Sequence, residues 1–206
     1  SAASDVYKRQ YKSNDVEIVK CDLPTSIAGH EIIWPQYMAD VMRLQILLEH
    51  GGIYMDTDIL TIAPLDDFLT DKLVISWEVE SRESVSNALM ITPPGNEFIR
   101  EWLERIPETM NSGVWATGGV VLPSRMAKDP RLSEYRTVMP HTFCCPLDLS
   151  RNWMFDPGFA EEAFQKSRDS LAIHVFETFW RTEVAKIDLN EETLFSWIVK
   201  MIRELE

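Results

Sequence analysis

The most constraining feature of this sequence is a double-glycine turn that leads into a short apolar strand ending in two aspartates. The segment reads Gly51-Gly52-Ile53-Tyr54-Met55-Asp56-Thr57-Asp58. In an extended chain, residues two apart point to the same side. The carboxylates of Asp56 and Asp58 are therefore predicted to face one small volume, roughly 7 Å apart at the backbone. Two hard oxygen ligands at that spacing suit Mg²⁺ or Mn²⁺, and a cation held in this way suits a diphosphate.

A helix is predicted directly before this turn, over residues 36–50. Pro35 fits the first turn of a helix, and Gly51 fits its end. Asp40 and Arg43 are three residues apart, so they lie on one side of the helix. Two interpretations remain open for this pair. It is either an exposed ion pair of small energetic value or part of a site with the aspartates, because the glycine turn folds the helix back beside the strand.

Several motifs resemble the DXD sugar-binding region of retaining glycosyltransferases. The densest similarity, between residues 36 and 69, comprises Ala-Asp-x-x-Arg, Leu-Leu-x-x-Gly-Gly-Ile-Tyr-x-Asp-x-Asp and Pro-Leu-Asp-Asp-x-Leu. The group includes the Golgi α-1,6-mannosyltransferases of family 32, the α-1,4-galactosyltransferases and, more distantly, the glucosylating bacterial toxins. Weaker similarities follow at Ser86-Asn87, Thr117-Gly118-Gly119, Val138-Met139-Pro140, the segment 172–176 and Trp180.

The resemblance implies an α/β fold of the GT-A type, in which a mixed sheet with flanking helices binds a nucleotide-sugar. It further implies transfer of a hexose from a UDP- or GDP-hexose donor to a hydroxyl group of a glycan or glycolipid acceptor. The expected cofactor is Mn²⁺ or Mg²⁺, and the expected stereochemistry is retention. The expected compartment is the cytoplasm in a bacterium and the Golgi lumen in a eukaryote.

The resemblance also implies roles for individual residues. Donor binding is expected of Asp40, Arg43, Tyr54 and Asp56; metal binding of Asp56, Asp58 and His174; and a catalytic role of Asp58, Asn87 and Trp180. Each role has a structural alternative that the sequence leaves open. Asp40 and Arg43 would form a structural ion pair, Tyr54 and Trp180 would pack in the core, Asn87 would be a satisfied structural amide, and His174 would be a satisfied core histidine.

The remaining chain alternates predicted strands and helices, which favours a single α/β domain. Gly118-Gly119 is expected to break the chain before a short helix at 122–126. Asn96 and Asn190 are each expected to cap a helix. We expect residues 11–206 to form one domain and residues 1–10 to be non-native or disordered. Because residues 16–20 resemble the family's second strand, the first strand and helix are expected to be missing from this fragment.

Composition excludes some classes of partner and leaves others open. A formal net charge of −13 argues against a nucleic-acid partner, whose phosphates require a basic surface. No stretch approaches the roughly 20 apolar residues of a membrane span. The three cysteines do not form a disulfide framework, so reduced thiols are expected.

Two other functions remain open. An apolar strand ending in Asp-x-Asp also occurs in phosphohydrolases with an aspartate nucleophile, where the first aspartate attacks and the second acts as acid and base. Those enzymes need a downstream lysine and a late acidic pair, and Lys72 is too near in sequence. The other possibility is a non-catalytic protein that binds sugar-nucleotides or glycans.

Overall fold

A mixed sheet with helices packed against it forms the centre of the computed structural model. The structure describes residues 17, 19–110, 114 and 116–204, with side chains up to residue 201. Its strands are β1 (Ser26–Ile27), β2 (His30–Glu31), β3 (Gly52–Met55), β4 (Ile59–Thr61), β5 (Leu73–Trp77), β6 (Val85–Thr92), β7 (Arg136–Met139) and β8 (Ala172–His174). Its α-helices are α1 (Pro35–His50), α2 (Glu97–Arg105), α3 (Leu122–Met126), α4 (Ala160–Ser167), α5 (Arg181–Val184) and α6 (Leu194–Glu204).

The main sheet has four strands in the order β3-β6-β5-β7. Strand β6 is antiparallel to both β3 and β5, whereas β5 and β7 are parallel. It follows that β3, β5 and β7 all run in one direction and end at the same edge of the sheet. The antiparallel pairs β1–β2 and β4–β8 form two smaller sheets.

The main sheet is covered on both faces, as the alternation of side chains along β6 shows. Met90 packs with the buried faces of α1 and α2, including Leu44 and Trp102. The neighbouring Leu89 points the other way, into a cluster with Phe143 and Ala172. Layers on both sides of a mixed sheet confirm the α/β class. The finer assignment to the GT-A type stays a prediction.

Helix α1 is confirmed, and its end requires glycine. Gly51 has a φ of +65°, and its N–H donates to the Leu47 carbonyl at 2.9 Å. A Cβ at this position would approach the backbone nitrogen of Pro94 to 2.6 Å. Both the left-handed conformation and the close approach exclude a side chain. The turn therefore directs the chain straight from α1 into β3.

Two predicted local features are wrong. Gly118-Gly119 does not break the chain, because a π-helical turn (Thr117–Val121) runs directly into α3. Asn190 does not cap α6, which begins at Leu194. The Asp188 carboxylate captures the backbone and side-chain N–H groups of Asn190 at 2.9 and 2.8 Å.

Other predictions are confirmed or fall outside the described residues. The side chain of Asn96 accepts bonds from the N–H groups of Phe98 and Ile99 and so caps α2 as expected. In the segment 16–20, which resembles the family's second strand, positions 16 and 18 lie outside the described residues, while Glu17, Val19 and Lys20 are not in a strand. Residues 1–10 also lie outside them. Among the helices that the structure describes, none is both long and apolar enough to cross a membrane.

Candidate functional site

The Asp56-Thr57-Asp58 segment is a turn between β3 and β4. The Asp56 N–H donates to the Ala88 carbonyl at 2.8 Å, so Asp56 still belongs to the end of the main sheet. The Ile59 N–H then donates back to the Asp56 carbonyl at 3.1 Å and closes the turn. The two carboxylates do converge, but the prediction that an extended strand aligns them is wrong: the turn brings them together.

Arg43 holds the Asp56 carboxylate from the helix side. Its Nη1 atom lies 3.2 Å from Asp56 Oδ1 and donates to the Asn87 carbonyl at 2.9 Å. The guanidinium group also stacks over the Tyr54 ring at 4.6 Å, and the Tyr54 hydroxyl donates to Asp56 Oδ1 at 2.6 Å. Tyr54 therefore faces the Asp56 side, as strand parity predicts. Asp56 is oriented by two donors from neighbouring elements.

Asp40 completes this network from one turn earlier on α1. Its Oδ1 atom accepts a bond from Asn87 Nδ2 at 2.9 Å and lies 3.5 Å from Arg43 Nη2. The alternative of an exposed ion pair is wrong, because Asp40 and Arg43 are only 8% and 7% exposed. Gly119 packs against the side chains of Asp40 and Asn87: a Cβ at Gly119 would lie 2.5 Å from Asp40 Oδ2 and 2.8 Å from Asn87 Nδ2. The sequence does not predict this contact, because the double glycine is interpreted there only as a break and as a weak family similarity.

Burial raises the pKa values of two groups beside Asp56. It raises the pKa of Asp40 to about 6, although the Arg43 guanidinium acts in the opposite direction and the Asp56 charge adds to the rise. Burial likewise raises the pKa of the Tyr54 hydroxyl, which therefore stays a hydrogen-bond donor. The two carboxylates and one guanidinium carry one net negative charge when Asp40 is ionised. Such a site attracts cations.

Asp58 is held from a different part of the chain. Its Oδ2 atom accepts the backbone N–H of Glu177 at 2.8 Å and lies 3.5 Å from His174 Nε2. The Asp58 carbonyl accepts the Val175 N–H at 2.9 Å, which continues the β4–β8 pairing. Burial tends to raise the pKa of Asp58, but the His174 imidazole and the Glu177 N–H outweigh it and lower the pKa. The role of the Glu177 N–H leaves no side-chain signal in the sequence.

Among the described residues, Asp58 alone offers a polar contact to the imidazole of His174. It is 13% exposed, its Nδ1 atom is buried without a hydrogen-bond partner among the described residues, and its Nε2 atom makes only the long contact to Asp58. Phe176 stacks against the ring at 3.8 Å between centroids and fixes its plane. A satisfied core histidine would have partners for its nitrogens. The geometry therefore leaves this side chain available for a ligand.

Asp56, Asp58 and His174 together can hold a metal ion. One ligand atom from each residue lies within 4.8 Å of the others. Two carboxylate oxygens and one imidazole nitrogen are a donor set that suits Mn²⁺. The His174 imidazole, whose Nε2 atom makes only a long contact to Asp58, fits this donor set as well. The three residues that the sequence predicts as metal ligands are thus brought together.

Trp180 returns to the neighbourhood of His174 because the chain reverses between them. Phe176 has a φ of +56°, and the Trp180 N–H donates to its carbonyl at 3.3 Å. The half-buried indole lines a narrow crevice that His174 and Arg151 also line. Trp180 is therefore beside the cluster, whereas Asn87 lies on the opposite side with Asp40.

Comparisons with known proteins agree with the motif. Residues 5–75 match the family model described as "Glycosyltransferase sugar-binding region containing DXD motif". The chain is 33% identical over 138 residues to Glucan organizing enzyme 1 of Cryptococcus neoformans, a match that covers 63% of this chain and 37% of that protein. No solved structure matches the chain.

Two further relatives have names that specify a transferred sugar. The human Alpha-1,4-N-acetylglucosaminyltransferase is 35% identical over 103 residues, covering 49% of this chain and 28% of that protein. The rat Lactosylceramide 4-alpha-galactosyltransferase is 26% identical over 158 residues, covering 69% and 42%. The chain thus spans less than half the length of each of these three relatives. Residues 5–75 are thus similar to a glycosyltransferase sugar-binding region that contains a DXD motif.

Proposed function

We propose that this chain forms the donor site of a metal-dependent, retaining glycosyltransferase that moves a hexose from a UDP- or GDP-sugar to a hydroxyl of a glycan or glycolipid. The single observation that carries the proposal is the convergence of Asp56, Asp58 and His174 on one small volume. The human relative is named for transfer of N-acetylglucosamine and the rat relative for transfer of galactose, which supports the class of donor sugar. The rat relative's name also specifies lactosylceramide, which supports the class of acceptor.

We assign different roles to the residues of the site. Asp56, Asp58 and His174 would hold Mn²⁺ or Mg²⁺, whose charge would stabilise the leaving diphosphate as a Lewis acid. Asp40 would contact the donor sugar only through the small exposed part of its carboxylate, since the residue is 8% exposed and Gly119 packs against its Oδ2 atom. Arg43 serves mainly to orient Asp40 and Asp56. Trp180 would bound the site beside His174.

The phosphohydrolase alternative fits the fold less well. Lys72 directly precedes β5, and β5 runs parallel to β3. Asp56 follows the carboxyl end of β3, so Lys72 lies at the opposite edge of the sheet. Five strand residues span roughly 17 Å, which is too far for the lysine to contact a phosphoryl group at Asp56.

The proposal is tested by donor cleavage in this chain. A panel of UDP- and GDP-hexoses is incubated with Mn²⁺ or with EDTA, and release of the nucleoside diphosphate is measured. We expect Mn²⁺-dependent release from at least one donor and a loss of about 100-fold or more in Asp58→Asn. The exposed Asp67→Asn is the matched control.

Three outcomes would contradict the proposal. Undiminished release in EDTA or in Asp58→Asn would remove the metal role. Trapping of an aspartyl phosphate on Asp56 would support the phosphohydrolase instead. Tight metal-dependent binding of a sugar-nucleotide without any cleavage or transfer would support the non-catalytic binding protein.

A further inference from the structure

A second concave surface lies apart from the residues of the proposed donor site. It is a cleft of about 270 Å³ between the loop that follows β5 and the loop that follows β7. Trp77, Glu80 and Arg82 line one wall, and His141 and Thr142 line the other. None of the metal- or donor-binding candidates is among its lining residues. The cleft therefore needs a separate account.

The cleft and the paired aspartates occupy the same edge of the main sheet. Because β3, β5 and β7 run in one direction, Asp56, Trp77 and Pro140 all follow strand ends at that edge. Strand β5 is two positions from β3, and β7 is three positions away. At about 4.8 Å between strands, β5 and β7 lie roughly 10–15 Å from β3 across the sheet. A molecule lying along this edge would reach both places.

The chemistry of the lining suits a carbohydrate. Trp77 lines the cleft and is half-buried against the core, and Lys128 Nζ lies over its ring at 5.7 Å from the centroid. Glu80 supplies an acceptor and Arg82 a donor, and His141 adds a ring nitrogen of either kind. Binding sites that combine an aromatic surface with a few polar groups suit ligands with both an apolar face and hydroxyl groups, such as sugar rings.

The polar groups stand on a loop that its own backbone holds in place. The Glu78 N–H donates to the Ser84 carbonyl at 2.8 Å, and the Arg82 N–H donates to the Val79 carbonyl at 3.1 Å. Arg82 adopts a φ of +58°, which is unfavourable for a residue with a side chain. A fixed loop loses little conformational freedom when a ligand binds. Because of this strain, replacing Arg82 by glycine can be used to test the role of its side chain.

The charges of the lining favour a neutral ligand. Glu80 and Arg82 carry opposite charges, and neither forms an ion pair with another residue of the described chain. The whole chain carries a formal charge of −13. A polyanion would therefore be repelled, whereas a neutral glycan would meet both a donor and an acceptor.

We propose that this cleft is the acceptor subsite and that it binds a neutral glycan whose reactive hydroxyl lies toward Asp58. This inference rests on the proposed function. In the transfer, the acceptor oxygen forms a bond to the anomeric carbon of the donor sugar. The bond from that carbon to the diphosphate breaks, and the hydroxyl proton leaves with the nucleoside diphosphate.

Glycan binding is measured without donor and in EDTA, so that it does not depend on catalysis. The probes are the methyl glycosides of lactose, N-acetyllactosamine, maltose and mannobiose, observed by saturation-transfer NMR with the 206-residue chain. We expect at least one probe to bind. Glu80→Gln and Trp77→Phe should each weaken that binding about tenfold. Glu83→Gln, an exposed change on the same loop, should leave it unchanged.

Two more variants separate the possible causes. Asp58→Asn should retain glycan binding, because it alters only the donor side. Arg82→Gly should raise the melting temperature by relieving the positive φ and yet weaken glycan binding. Absence of binding by every probe would overturn the inference. So would binding that survives Glu80→Gln and Trp77→Phe, or binding that Asp58→Asn abolishes. Intact glycan binding in a chain that never cleaves a sugar-nucleotide would refute the proposed function and with it the acceptor role, and only glycan binding at the cleft would stand.

Discussion

The two aspartates of the DXD motif are supported in different ways. Asp56 is held by side chains: Arg43 from α1 at 3.2 Å and the Tyr54 hydroxyl from β3 at 2.6 Å. Asp58 is held by the backbone N–H of Glu177, 119 positions later in the chain, and by the loose contact with His174. The first support is a buried, ion-paired network. The second is a backbone contact on a small two-stranded sheet.

The residues around Asp56 and the residues around Asp58 are therefore expected to contribute differently to stability and to ligand binding. The Asp56 half is part of the core, since Asp40 and Arg43 are almost fully buried. The Asp58 half contains the His174 imidazole, whose Nδ1 atom has no hydrogen-bond partner among the described residues and whose Nε2 atom makes only the 3.5 Å contact to Asp58. Mutation of Arg43 should therefore act mainly on folding, and mutation of His174 mainly on the metal.

The largest effect is expected from Arg43→Ala. The change leaves the buried carboxylate of Asp40 and the half-buried carboxylate of Asp56 without their cation, so the free energy of unfolding should fall by about 3–5 kcal/mol. Urea denaturation followed by circular dichroism measures it. Arg105→Ala, which breaks the more exposed pair with Glu101, should cost at most about 1 kcal/mol. Equal costs in the two variants would mean that the buried network contributes little.

The raised pKa of Asp40 predicts a pH dependence. The folded chain keeps this proton up to about pH 6, whereas the unfolded chain releases it near pH 4. Stability should therefore be lost as the pH rises through this window, by up to about 3 kcal/mol relative to Asp40→Asn. Denaturation in EDTA at pH 4 and pH 7 gives the difference, with the exposed Asp169→Asn as control. A difference that stays constant or grows with pH would contradict the prediction.

His174→Ala should act on the metal and leave the fold nearly intact. Loss of the nitrogen ligand should weaken Mn²⁺ binding by about 10- to 100-fold, an effect similar in size to that of disrupted supporting contacts in metal sites. The preference for Mn²⁺ over Mg²⁺ should shrink as well. Calorimetric titration of both ions measures the two effects. The exposed His50→Ala serves as control, and a His174→Ala chain that loses stability but binds Mn²⁺ normally would show a purely structural histidine.

The smallest effect is expected from Tyr54→Phe. The ring that packs on Arg43 is kept, and only the hydroxyl bond to Asp56 is lost, so stability should fall by about 1 kcal/mol. Thermal denaturation of wild type, Tyr54→Phe and Tyr54→Ala resolves the two contributions. If the phenylalanine variant is as unstable as the alanine variant, the hydroxyl rather than the ring carries the contribution of Tyr54.

The half of the site that lies within one local segment is the half that the sequence predicts best. Helix α1, its terminal Gly51 and strand β3 follow from spacing and turn chemistry, so the positions of Asp40, Arg43 and Tyr54 relative to Asp56 are predictable. The burial of Asp40 and Arg43 is not, because it depends on Asn87 and Gly119 from distant elements. Helical spacing alone is equally compatible with an exposed pair.

The other half depends on contacts that sequence patterns cannot specify. The pairing of β4 with β8 and the turn at Phe176 determine where His174 and the Glu177 N–H lie. A backbone donor has no residue type associated with it, and resemblance alone suggested His174. The cap predicted at Asn190 is instead supplied by Thr193, whose Oγ1 atom accepts the Ser196 N–H at 3.1 Å, while the side chain of Asn190 donates to Asp188. Local signals compete, and tertiary structure decides between them.

The central claim is that both halves of the site converge on one cation, and pulsed electron paramagnetic resonance of bound Mn²⁺ tests it most directly. The spectrum of the wild-type chain should show coupling to a single imidazole nitrogen, and this coupling should vanish in His174→Ala and persist in His50→Ala. Bound Mn²⁺ without nitrogen coupling in the wild type, or with coupling that survives in His174→Ala, would contradict the account.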